Sequence, residues 1–198
     1  MILYGLGIFL SIFAIADLIP HMLEKGKIDL ILSKPVSRTN IFLAKYFGGL
    51  SIVAFNVGYL VFILWLILSL KTNVWNIGFL YAGVLIIITF AVLYCFMSLI
   101  GFLTRSSALV IMLTYALFFL NQPLAARKSL TSIITKKIYI VIIDGLYWIL
   151  PKTAELGYMV RLLALNKKVD SWLPLFTSII FGIFVYILAN IYFVKKSY

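Results

Sequence analysis

The stretch LEKGKIDLILSKPVSRTNIFLAKYFGGL, Leu23 to Leu50, holds five of the chain's 17 lysines and arginines in a sequence that is otherwise mostly apolar. No lysine or arginine precedes it, and Asp17 is the one acidic residue upstream of Glu24. After Lys45 come twenty-five uncharged residues before Lys71. A spanning helix needs about 20 mainly apolar residues, because a helix rises about 1.5 Å per residue through roughly 30 Å of hydrocarbon. The charged stretch therefore reads as a loop between two membrane spans, and that reading sets the class of the whole chain.

Composition agrees. Hydrophobic residues make up 64% of the 198 and charged residues 12%, with a mean hydropathy of +1.14. Soluble domains sit at about 45–50% apolar and about 25% charged, so this chain has no surface to offer water. It reads as an all-α integral membrane protein forming a single domain over residues 1–198. The gaps between charges predict five spans, about 1–19, 46–70, 77–103, 106–124 and 172–194. The net charge of +11 then belongs to loops facing anionic headgroups rather than to a nucleic-acid footprint. Lysines and arginines divide eight against nine between the two sides, so the positive-inside rule does not orient the chain. Cys95, the single cysteine, lies in an apolar run and reads as an inert packing residue.

The segment 127–170 behaves differently. Its apolar runs, IYIVII, LYWIL and MVRLLAL, are interrupted by Asp144, Pro151, Lys152, Glu155 and Arg161. A charge at a span centre costs about 2.5–3.5 kcal/mol. Two short helices, lying at the interface or dipping partway in and hinged at Pro151, fit this pattern. The alternative is a sixth span with Asp144 turned toward a protein interior.

Within the opening stretch, Leu23, Lys27 and Leu30 or Ile31 recur at helical spacing, as do Ile28, Ile31 and Leu32, while Lys25 and Asp29 share a wetter face. Pro35 disfavours helix at Lys34, and Ser37, Thr39 or Asn40 can cap the helix that follows. The pattern describes an amphipathic helix parallel to the bilayer, joined by an elbow to a span. A solvated loop without a partner has the same composition.

These residues resemble a known family. The run from Glu24 through Gly26, Leu32, Pro35, Ser37 and Arg38 to Lys45 looks like the signature between the second and third membrane helices of ABC-2 type transporter permeases. Lys27–Ile28 departs from it, since the family usually has Thr and a hydrophobic or acidic residue there. The stretch LYWILPKTAEL, Leu146 to Leu156, resembles the Tyr-x-x-x-Pro segment of many members. The resemblance implies a transmembrane permease subunit, an exporter in a prokaryotic plasma membrane, paired with a second copy or a homologous permease. It also implies that the 21–40 loop and the C-terminus are cytoplasmic, with 127–170 an exterior re-entrant segment. A separate ABC ATPase subunit would bind ATP and Mg, and a coupling helix of the permease would seat in a groove on it. On that reading Leu23, Glu24, Lys25, Gly26, Lys27, Ile28, Asp29, Ile31, Leu32, Pro35, Ser37 and Arg38 form the coupling element. The family's N-terminal elbow helix and first span have no counterpart, so a longer permease with Met1 as an internal methionine is the expectation.

The residues agree in what they lack. The phosphate-cradling pattern GxxxxGK[ST] is absent, and one histidine, His21, with one cysteine cannot assemble a metal cluster or a nucleophilic triad. The chain is therefore expected to be no enzyme and to hold no cofactor of its own. A membrane scaffold or assembly factor with the same fold is the alternative function. Ser51, Asn56, Thr89, Ser98, Thr114, Asn121 and Asn190 are among the polar residues within the spans, and they suit helix–helix hydrogen bonds.

Overall fold

The structure is a computed structural model that describes residues 2–24, 26–27, 36–127 and 137–196. Among the described residues every regular element is a helix: α1 Ile2–Ile15, α2 Leu18–Met22, α3 Arg38–Thr72, α4 Gly78–Thr104, α5 Ser107–Ala125, α6 Lys137–Ile149, α7 Thr153–Ala164 and α8 Leu173–Lys195. Five helical segments, Tyr4–Met22, Arg38–Thr72, Gly78–Thr104, Ser107–Ala125 and Leu173–Lys195, are long and apolar enough to cross a membrane. The chain is a multi-pass membrane protein. Its second span starts at Arg38, earlier than the apolar count alone implies, because Ser37 is in extended backbone and its Oγ accepts from Asn40 N at 3.3 Å. At 35 residues α3 is about 52 Å long, well beyond the hydrocarbon thickness.

Proline sets the breaks. Pro20 lies in the first turn of α2, where a missing N–H costs little, but its ring excludes the carbonyl of Ala16, four residues back. The helix breaks there, at Ala16–Asp17. Pro151 acts likewise: no continuous helix runs through 137–164, and α6 and α7 meet at a bend over 150–152. With 13 and 12 described residues, about 20 and 18 Å, neither helix by itself reaches the length of a span.

Helix α4 is the axis of the bundle and packs against α1, α2, α3, α5, α7 and α8. Between helices in lipid, apolar burial gives little drive, and close van der Waals packing takes its place. Phe42 of α3 shows how: it meets Phe102 of α4 edge-on at 5.0 Å and stacks on Tyr186 of α8 at 4.8 Å. Next to it, Tyr46 stacks on Tyr94 at 5.0 Å, and Tyr94 on Phe90 at 5.7 Å. Gly49 lets α3 approach this stack, since a Cβ there would stand 2.5 Å from the Tyr94 hydroxyl.

Hydrogen bonds define the two ends. Tyr4 Oη donates to Thr153 O at 2.6 Å, and Ser178 Oγ accepts from Lys152 N at 2.9 Å, placing the α6–α7 elbow over the starts of α1 and α8. At the opposite end, Ser107 Oγ donates to Asp17 Oδ1, and Arg38 reaches the end of α8.

Candidate functional site

The expected coupling element begins where α2 ends. Leu23 is buried in the bundle core at 3% exposure, and its N–H donates to Pro20 O. It therefore roots the loop in the bundle and offers no outward face. The chain then emerges: Lys27 Nζ lies 2.7 Å from Glu24 Oε2 and 2.6 Å from His21 Nε2, with the Lys27 and Glu24 side chains 45% and 54% exposed. The Lys27 hydrogen bond holds the Glu24 carboxyl below the usual carboxylate range. An exposed pair of this kind stabilises little, so its value lies in presenting one acid and one base on a solvated corner.

Gly26 has φ +86°, a left-handed conformation that side chains rarely adopt, and a Cβ there would meet nothing within 4 Å. The backbone turn, rather than close approach of another element in this chain, is what requires glycine. Lys25, Ile28, Asp29, Ile31, Leu32 and Pro35 lie outside the described residues.

Beyond them Ser37 caps α3, and Arg38 turns toward α8. Its Nη1 donates to Lys196 O at 2.6 Å and to Val194 O at 3.2 Å. The last carbonyls of a helix have no intrahelical partner and carry its negative dipole end, so a guanidinium is the fitting cap. From sequence alone Arg38 reads as a docking or headgroup residue; its tie to the last span, 156 residues away, is a tertiary fact. Between this clamp and α2 lies a cavity of about 540 Å³, lined by Leu18, Val36, Asn40, Ile41 and Lys45.

The opposite end carries a second polar cluster. Arg127 pairs with Asp144 at 3.0 Å and stacks over the Tyr147 ring at 3.7 Å. Tyr147 Oη donates to Glu155 at 2.6 Å. Lys152 is 3% exposed, and its Nζ has no hydrogen-bond partner among the described residues. Its ammonium stands 4.5 Å from the centres of both the Tyr147 and Trp148 rings. Burial pulls the Lys152 ammonium below the usual lysine range, and Glu155 opposes that shift. In the sequence, Asp144, Lys152 and Glu155 weigh only against a simple span. Asp144 and Glu155 come from the two helices on either side of the bend at Pro151, Lys152 from the bend itself and Arg127 from beyond the end of α5, so no single helical period reveals the cluster.

Neither end holds the ingredients of a metal site: no group of three His, Cys, Asp or Glu residues comes together among the described residues. Cys95 is buried, with its Sγ 3.3 Å from Tyr46 Oη. Comparison with family models, with curated proteins and with solved structures gave no match.

Proposed function

We propose that the chain is the transmembrane subunit of an ABC-2 type exporter, working beside a second permease copy or a homologue and driven by a separate ATPase that binds ATP and Mg. The observation that carries this reading is the Glu24–Lys45 stretch, in which the motif residues coincide with a mechanically rooted turn. A coupling element must pass a push from a partner into rocking of the spans, a rigid-body switch. Leu23 anchors one side of the loop in the core, and Arg38 ties the other side to the end of α8. A push on the exposed Glu24–Lys27 corner would reach α2 through Leu23, and Arg38 links the far side of the loop to α8. On this reading the loop and the C-terminus face the cytoplasm of a prokaryotic cell, and the α6–α7 elbow faces outward.

The double substitution Glu24→Arg with Gly26→Val tests the proposal. It reverses the charge at the corner and places a branched side chain at φ +86°. Membrane insertion should persist, while co-purification of the ATPase weakens and ATP hydrolysis no longer supports export. Full association and full transport in that variant would remove the support for coupling at this loop.

A further inference from the structure

Two cavities, of about 370 and 290 Å³, adjoin at the lining residues Val61 and Ile86, which they share, and mark a groove that follows α1 and α3 over α4, with α7 at one end. It runs along α1 from Tyr4 to Ser11, about 10 Å of helix. That is most of the depth of one leaflet's hydrocarbon, about 15 Å. Its inner part is bounded by Leu6, Leu10, Val57 and Leu60. The two polar side chains there are turned to their own helices: Ser11 Oγ donates to Gly7 O at 2.6 Å, and Asn56 Nδ2 to Ile52 O at 2.9 Å. The groove therefore presents hydrocarbon to whatever fills it, and Leu6 and Leu10 are 55% and 63% exposed along its lip.

The mouth has a different chemistry. Arg161 of α7 lines the groove at the elbow end, is exposed, and makes no ion pair or side-chain hydrogen bond among the described residues. Leu165 completes the mouth, and Lys167 and Lys168 follow after Asn166; Asp170 is the one acid anywhere after Glu155. An apolar slot about two-thirds of a leaflet deep, with a guanidinium at its headgroup end that pairs with no acid among the described residues, matches an amphiphile that is anionic at one end. A neighbouring helix suits it less, because a cylinder about 10 Å across would set apolar side chains against the guanidinium.

We propose that this groove binds one anionic phospholipid, with an acyl chain lying between α1 and α3 and the phosphate on Arg161. The guanidinium offers the forked donors that a phosphodiester accepts. The site is independent of the proposed ATPase coupling and would exist in a scaffold as well as in a transporter.

Native mass spectrometry of the full chain, released from mild detergent, tests this with palmitoyl-oleoyl phosphatidylglycerol and phosphatidylcholine, which share chains and differ in headgroup charge. The wild type should retain one phosphatidylglycerol in preference to phosphatidylcholine. Arg161→Gln should cut that preference by about fivefold, the value of one cation near an anionic headgroup. Gly7→Leu should displace both lipids, since the nearest atom to an added Cβ there is Ile86 Cγ2 at 4.0 Å and the side chain would grow into the groove. Leu60→Trp serves the same purpose should Gly7→Leu not insert. Equal retention of both lipids by the wild type, or a preference unchanged in Arg161→Gln, would overturn the assignment. So would a cysteine at Leu60 that cross-links to a polypeptide in membranes, which would give the groove to a protein helix.

Discussion

Arg38 offers a direct measure of how firmly the loop is tied to the last span. Its Nη1 satisfies two carbonyls at the end of α8, at 2.6 and 3.2 Å. Hydrogen bonds to charged groups contribute about 1.5–3 kcal/mol, and a cation at a helix C-terminus adds about 0.3–1 kcal/mol. Arg38 is half-buried, which favours the lower end of both ranges. Arg38→Gln should therefore weaken the last turn of α8 by about 1.5–2 kcal/mol, or roughly 10- to 30-fold in its opening equilibrium. Amide hydrogen exchange in detergent reads this at residues 192–196, with the middle of α4 as an internal control. Arg38→Lys keeps the charge and a nitrogen with several donors on a slightly shorter side chain, so it should recover a large part of the protection that Arg38→Gln loses. Under the proposed function, Arg38→Gln should also lower transport per ATP hydrolysed while leaving ATPase binding intact. Exchange at 192–196 identical to the wild type in Arg38→Gln would refute the clamp, and with it the route from loop to last span.

Two further perturbations probe the bundle and the elbow. Gly49→Ala places a Cβ 2.5 Å from the Tyr94 hydroxyl, whose ring is fully buried and stacked on Tyr46 and Phe90. It should destabilise by about 1–3 kcal/mol in detergent denaturation, with partial relief in the Gly49→Ala, Tyr94→Phe double variant; unchanged stability in the single variant would contradict the packing described. At the elbow, burial lowers the Lys152 pKa in the folded state. Between that value and the unfolded value, about 10.4, the unfolded chain binds more protons, so folding stability rises with pH across this window. The burial penalty is fully present below the folded-state pKa. Lys152→Met should flatten the alkaline rise in thermal midpoint, and at pH 7 it should not lower the midpoint, because the ammonium gains ring contacts but no hydrogen bond. A lower midpoint at pH 7 would show that the cage outweighs the burial cost.

Much of the architecture is carried by local chemistry. Runs of apolar residues between charges locate the spans because the bilayer imposes a length on them. Pro20, Pro151 and the Ser37 cap mark breaks and starts because their effects reach no further than about one helical turn. What the sequence by itself determined is thus an all-helical membrane chain, the places where its helices stop, and the charged candidate loop between the first two spans. Which side chains meet is another matter. Leu23 reads as a docking residue in its own helical period, yet it is buried, because the bend after Ala16 turns it toward the bundle core. Arg38 reads as a loop cation but caps α8, and Arg161 reads as an obstacle to insertion but stands at the mouth of a groove between α1 and α3. These roles were decided only by the tertiary structure, since each depends on contact between segments up to 158 residues apart. In lipid, where oil-like side chains have no aversion to their solvent, shape complementarity chooses such neighbours, and shape is a property of the packed helices rather than of any one stretch of chain.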